Sequence, residues 1–215
     1  ALAFLHDLVP VEHYEASKAY FRQVIEDADY LIGTGFIGTP ALLPALTKLG
    51  MNDVAEKVFL NREVPGWLYQ VERGATTIWE RWDAIAPDGT IYEPSMNSYN
   101  HYAYGAVCQW LFEDVAGIKP AADGPGFDMV DLAPQILPEL GFVEMSHDCR
   151  HGRLDAKWSI ADGKVSYVVT LPEGCRGRLS PEVFRSGVSV NGQPSDTGAV
   201  TLGPGRHEIT FELEG

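Results

Sequence analysis

Apolar positions divide the chain into a helical first half and a strand-like second half. Between residues 11 and 31, Tyr14, Ala16, Ala19, Tyr20, Val24, Ala28 and Leu31 recur at three- and four-residue steps with charged residues between them. That spacing predicts a helix with one apolar face, stopping near Gly33. After the loop Gly33-Thr-Gly-Phe-Ile-Gly38, Thr39-Pro40 offers a cap and a first-turn proline for a helix carrying Leu42, Leu43, Leu46 and Leu49 up to Gly50. Asn52 or Asp53 can cap a partner helix over Val54 to Leu60, which Pro65-Gly66 breaks. A short helix is expected within residues 74 to 82, capped by Thr76 or Thr77. Another is expected from Ser98 or Asn100, carrying Tyr102, Ala106, Val107, Trp110, Leu111 and Val115 and ended by Gly117 and Pro120.

Beyond the Gly/Pro-rich stretch at 119 to 131 the helical period disappears. Leu154, Ala156, Trp158 and Ile160 alternate with polar residues, as do Val165, Tyr167 and Val169, then Val188 and Val190, then Ile209, Phe211 and Leu213. Asp162-Gly163 and Asn191-Gly192 suit two-residue hairpin turns. Short strands spaced by turns predict an antiparallel β-sandwich of roughly 80 to 90 residues. The expected organisation is therefore helical hairpins over 1–120 and a β-sandwich over 121–215.

Charge narrows the partners. A formal net charge of -14, with 16 scattered Lys and Arg, excludes a polyanion-binding surface and argues against nucleic acid and anionic membranes. No run of about 18 apolar residues suggests a membrane span. Cys108, Cys149 and Cys175 are widely spaced, without the pairing of a zinc site, so they are expected to be free; no metal and no cofactor is expected. Residues 1 to 30 lack a signal-peptide pattern. The chain opens on Ala1, which suggests a fragment, a processed chain or a trimmed sequence, so cytoplasmic and exported locations both stay open.

Three runs carry candidate chemistry. In Trp79-Glu80-Arg81-Trp82 a carboxylate lies between two indoles, which on a helix would share a face. Indole faces pack on the C–H faces of pyranoses while carboxylates take their hydroxyls. The structural alternative is a core helix with Glu80 paired to Arg81 or Arg73 at its rim. In Ser98-Tyr-Asn-His-Tyr102, Asn100 and His101 can hydrogen-bond hydroxyls, or serve as ordinary first-turn residues, and Tyr99, Tyr102 and Tyr104 read as packing. Thr34-Gly-Phe-Ile-Gly-Thr-Pro40 lacks the Lys-Ser/Thr ending and the preceding strand of a nucleotide loop, and reads as a tight inter-helix turn.

In this order the runs resemble the C-terminal region of the inverting α-L-rhamnosidases, glycoside hydrolase family 78. The resemblance rests on Thr34 to Pro40, Pro65-Gly66-Trp67, Gly74 to Trp82, Asn97 to Tyr102 and the exit Gly117 to Pro120. It implies the last hairpins of an (α/α)6 barrel followed by a closing β-sandwich. It further implies Glu80 as general base, His101 in contact with the bound rhamnose, and Trp79 and Trp82 shaping the pocket, with Asn100 kept as a substrate-binding candidate on its own chemistry. An inverting reaction needs a second carboxyl group. The resemblance puts that acid upstream; Asp83, Asp88 and Glu93 are the local alternatives. The implied substrate is a rhamnose-containing glycoside, and the implied partner is the rest of the barrel, as an upstream segment or a separate chain. The competing readings are a non-catalytic carbohydrate-binding protein using Trp79, Trp82 and His101, and an unrelated helical barrel such as an epimerase.

Overall fold

The computed structural model describes residues 1–93, 95, 97–180, 187–195 and 200–213. Contacts divide the chain into Ala1–Trp110 and Leu111–Gly215.

The first unit is helical: α1 (Leu2–Leu5), α2 (Tyr14–Asp27), α3 (Thr39–Lys48), α4 (Asn52–Leu60), α5 (Trp67–Glu72) and α6 (Val107–Trp110). The hairpin α3–α4 supplies its core, with Leu42, Leu43, Ala45, Leu46, Val54, Ala55 and Val58 all buried. Gly50, at φ +69°, turns the chain between the two helices, a conformation that favours glycine. Thr39 is the first helical residue rather than the cap. Its hydroxyl donates back to Thr34 O and Gly35 O at 3.0 and 2.9 Å, tying the preceding loop to the helix.

Helix α2 is shorter than its period suggested, because Asp29 and Tyr30 take positive φ and end the helical run before Gly33. Its covered side coincides with the expected face only at Tyr14. Tyr14 and Phe21 pack on Phe4 with ring centroids 5.6 Å away, and Ile25 is buried beside them. Tyr20 and Val24, on the expected apolar face, are 71% and 45% exposed. Leu8 and Val11 of the same unit are exposed too, at 70% and 89%.

Two expected helices change form. Residues 74 to 82 contain no helix; the helical turn lies before them, in α5. The helix expected from Ser98 starts only at Ala103, as a 3₁₀ turn to Ala106, continues as α6, and passes into a π-turn over Leu111–Val115. Asn100 and His101 thus lie in the bend ahead of it.

The second unit contains two sheets. β3 (Phe142–Cys149), β4 (Gly152–Ala161), β5 (Lys164–Leu171), β10 (Gly205–Glu212), β7 (Ser189–Val190) and β8 (Gln193–Pro194) form one, in that order and antiparallel throughout. β1 (Ile118–Pro120), β2 (Met129–Leu132), β6 (Arg176–Leu179) and β9 (Val200–Leu202) form the other, where β2 and β6 run parallel. Most of the alternation read from the sequence is the burial pattern observed: Leu154, Ala156 and Trp158 from β4, Val165, Tyr167, Val169 and Leu171 from β5, and Ile209 and Phe211 from β10 are buried, whereas Ile160, Val190 and Leu213 are only half-buried. Asp162-Gly163 and Asn191-Gly192 have positive φ at both positions, as a type I′ hairpin requires. The inner faces meet closely at Gly177, where a Cβ would lie 2.6 Å from a Leu132 methyl and 3.0 Å from one of Leu171.

Cys108, Cys149 and Cys175 are free thiols, and burial pushes the Cys175 thiol up to about 11. No helix among the described residues is long and apolar enough to cross a membrane.

Candidate active site

The two runs singled out in the sequence are bonded to one another. Glu80 N–H donates to Ser98 O and His101 N–H to Ile78 O, each at 2.8 Å, and Thr77 Oγ1 donates to Tyr99 O. The side chain of Glu80 joins this seam: Oε2 accepts from Ser98 N–H at 3.0 Å, and the other oxygen has no hydrogen-bond partner among the described residues. On the opposite edge, Gln70 of α5 is 2% exposed and holds the segment from behind. Its amide accepts from Trp79 N–H and donates to Arg81 O, both at 3.2 Å. Backbone bonding therefore alternates, Ile78 and Glu80 toward His101 and Ser98, Trp79 and Arg81 toward Gln70. These tertiary bonds explain why 74 to 82 is not helical: local preference is weak beside a full set of non-local partners.

A cavity of about 320 Å³ is lined by Phe36, Glu80, Arg81, Trp82, Asp83 and Tyr104. Its chemistry is two-sided. Glu80, Arg81 and Asp83 form a polar side, in which Arg81 donates to both carboxylate oxygens of Asp83 at 3.2 and 3.4 Å and its guanidinium lies 3.5 Å from the centre of the Tyr92 ring. Phe36, Trp82 and Tyr104 form the other side. Trp82 stacks on Tyr104 at 3.9 Å and meets Trp67 edge-on, while Trp67 Nε1–H donates to Tyr104 O at 3.0 Å. Burial raises the pKa of the Tyr104 hydroxyl, keeping a neutral group on this side.

Glu80 and Trp82 line the cavity. Trp79, 3% exposed, packs edge-on against Tyr99 and is not among the lining residues. His101 lies one ring back: it stacks on Phe36 with centroids 4.7 Å apart, and its Nδ1 accepts from Ala103 N–H at 3.4 Å. A neutral ring so held carries its proton on Nε2. Asn100 is exposed; its N–H donates to Ser98 Oγ. Neither arginine expected beside Glu80 pairs with it, since Arg81 is held by Asp83 and Arg73 lies over the Tyr69 ring. Of the local alternatives for an acid, Asp88 is exposed and held below the usual carboxylate range by hydrogen bonds from Thr90. Among the described residues no group of three or more His, Cys, Asp or Glu could hold a metal ion.

Sequence reading missed Phe36, Arg81 and Gln70 and took Tyr104 as packing alone. Asp83 was within reach as a nearby carboxylate, and Arg81 as the neighbour of Glu80. Gln70 left no signal. Gln70→Ala would leave Trp79 N–H and Arg81 O unpaired in a buried seam, at a cost of about 1 to 3 kcal/mol. Thermal unfolding of the helical unit, followed by circular dichroism, is expected to show that loss; an unchanged midpoint would remove Gln70 from the site's scaffold.

Comparison with known proteins agrees with this architecture. Residues 1–115 match the family model described as the bacterial alpha-L-rhamnosidase 6 hairpin glycosidase domain. Residues 117–189 match the bacterial alpha-L-rhamnosidase C-terminal domain. The chain belongs to the bacterial α-L-rhamnosidase family. It is 38% identical over 166 residues to an α-L-rhamnosidase of Streptomyces avermitilis, covering 77% of this chain and 16% of that protein. With one from an Alteromonas species it shares 32% over 188 residues, 87% of this chain and 20% of the relative. The crystal structure of the Streptomyces avermitilis enzyme complexed with L-rhamnose superposes with a TM-score of 0.84 at 32% identity, over 98% of this chain and 21% of that one. The Aspergillus terreus α-L-rhamnosidase gives 0.84 at 32%, over 97% and 23%. The chain thus spans about a fifth of the length of the curated relatives it matches.

Proposed function

We propose that these residues supply the base side of an α-L-rhamnosidase active site, in which water attacks the anomeric carbon of a terminal α-L-rhamnose with inversion. Glu80 is the general base in this reading. The carrying observation is its mounting: one carboxylate oxygen is fixed by Ser98 N–H, the other is unengaged among the described residues, and the side chain borders a cavity with hydrogen-bonding groups on one side and rings on the other. A fixed carboxylate with one unengaged oxygen is suited to orienting a water and taking its proton. Trp82 shapes the pocket. His101, whose Nε2–H is left available by the bond at Nδ1, donates to the sugar.

The general acid belongs to residues outside this chain. Inversion places the two carboxyl groups about 6.5 to 9.5 Å apart on opposite faces of the sugar, whereas Asp83 shares Glu80's side of the cavity and gives both oxygens to Arg81. The exposed pair Tyr20 and Val24, one turn apart on α2, supports the same conclusion, because apolar helix faces are normally covered; the remaining hairpins of the barrel are the proposed cover. A pure sugar binder resting on Trp79 is disfavoured by that ring's burial.

The test compares the intact natural protein with residues 1–215 alone on an aryl α-L-rhamnoside, following the anomeric proton of released sugar by NMR. Turnover by the intact protein with β-rhamnose as the first product, and none by 1–215, is expected. Release of α-rhamnose first would exclude inversion, and turnover by 1–215 would exclude an external acid.

A further inference from the structure

Phe36 lines the cavity, and the proposed base chemistry makes no use of it. It sits on the loop between α2 and α3, is 44% exposed, and borders the cavity. An aromatic ring half open to water is unburied apolar surface, and burying it is favourable.

The loop holds this ring in place before any ligand arrives. Gly38 N–H and Thr39 N–H both donate to Gly35 O, at 3.1 and 2.9 Å, closing a turn around Phe36 and Ile37. The Thr39 hydroxyl ties the same turn to Thr34 O, and the two threonine hydroxyls lie 2.8 Å apart. A Cβ on Gly38 would stand 3.0 Å from Thr34 Cβ, so the turn is tightly packed. The ring is fixed as well, stacking on His101 at 4.7 Å and leaning on Tyr104 at 5.2 Å. Phe36 is therefore a prepositioned wall, and contact with it requires little further ordering.

Within the cavity the hydroxyls of a sugar have Glu80, Arg81 and Asp83 as partners. The wall of Phe36 presents carbon alone. L-Rhamnose carries one purely apolar substituent, the methyl at C5, where L-mannose carries a hydroxymethyl and L-lyxose a hydrogen. We propose that Phe36 is a specificity-determining residue that receives this methyl, so that the site selects 6-deoxy sugars. This rests on the rhamnosidase reading above and extends it to the choice of sugar. A methyl against such a wall is worth about tenfold or more over hydrogen, and a hydroxymethyl loses there because its hydroxyl leaves water without a partner.

The experiment measures kcat/KM of the intact natural protein on aryl α-L-rhamnoside, α-L-lyxoside and α-L-mannoside for the unmodified chain, Phe36→Ala and Phe36→Gln. Ratios between substrates do not depend on the fraction of folded enzyme, so a partly unfolded variant still reports. In Phe36→Ala the preference for rhamnoside over lyxoside is expected to fall about tenfold, with the lyxoside rate itself held within about threefold. In Phe36→Gln, whose amide can meet a hydroxymethyl, the preference for rhamnoside over mannoside is expected to fall by a similar factor. A parallel loss on all three sugars would mean that Phe36 only props His101 or stacks on the ring face, and would overturn the assignment. Unchanged ratios would overturn it too. Failure of the unmodified intact protein to cleave the rhamnoside would instead remove the rhamnosidase reading, and this inference with it.

Discussion

Glu80→Gln, made in the intact natural protein, is expected to lower kcat on an aryl α-L-rhamnoside by about a thousandfold while leaving KM within about threefold. A positioned general base contributes on the order of 10² to 10⁴, and a thousandfold corresponds to about 4 kcal/mol of lost transition-state stabilisation. The substitution isolates this effect because the amide oxygen can still accept from Ser98 N–H, and the backbone bond from Glu80 to Ser98 O is untouched. The seam between 78–80 and 98–101 therefore persists, and with it Trp82 and His101. What disappears is the capacity to take a proton from water. Steady-state kinetics, with rhamnose binding followed by calorimetry, separates the two effects. A variant within tenfold of the parent kcat would assign the base to another residue.

That design depends on a feature the sequence did not reveal. The run Trp79 to Trp82 was read as helical because threonine caps and i,i+3 indoles fit a helix. The competing order comes from residues far along the chain: Ser98, Ile78 with His101, and Gln70. Such bonds have no local signature. Glu80 was found for its type and neighbours, whereas the way it is held depends on Ser98, 18 positions distant, and on Gln70, whose bonds to Trp79 and Arg81 span 9 and 11. Phe36 was hidden for a related reason. Glycine-rich loops advertise turns, and only the packing of the turn against His101 and Tyr104 gives the side chain between the glycines a place in the cavity.

Where local pattern and tertiary packing coincide, the sequence was legible. The strands β4, β5 and β10 bury every second residue, so period two carries directly into structure. The short strands β1, β6 and β8 lack enough residues for a period to show. Helix α2 is the instructive intermediate. Its expected face splits: Tyr14 packs on Phe4 while Tyr20 and Val24 stay open, and the covered side is completed by Phe21 and Ile25, which the period does not mark.

The largest expected loss of stability is at Trp158. This indole is 1% exposed at the centre of β4, and its Nε1–H donates to Val115 O at 2.8 Å. Beside it the Tyr167 hydroxyl, wholly buried, donates to Ala116 O and Gly117 O at 3.1 and 3.2 Å. Two strand side chains thus satisfy three successive carbonyls of the turn that follows Leu111–Val115, and Gly117 in that turn has no space for a side chain, since a Cβ would stand 2.2 Å from Pro134 N. Truncating Trp158 to alanine both opens a large cavity and strands the Val115 carbonyl in a dry interior. The first effect alone costs about 3 to 5 kcal/mol; the second adds about 1 to 3 kcal/mol. Against a total of roughly 5 to 15 kcal/mol for a typical domain, Trp158→Ala is expected to leave the β unit largely unfolded. Trp158→Phe retains most of the volume and should lose chiefly the hydrogen bond. Guanidinium unfolding monitored by the β signal in circular dichroism orders the two. If phenylalanine proved as damaging as alanine, the hydrogen bond to Val115 would be the dominant contribution and packing the lesser one; if both were mild, neither would hold this unit together.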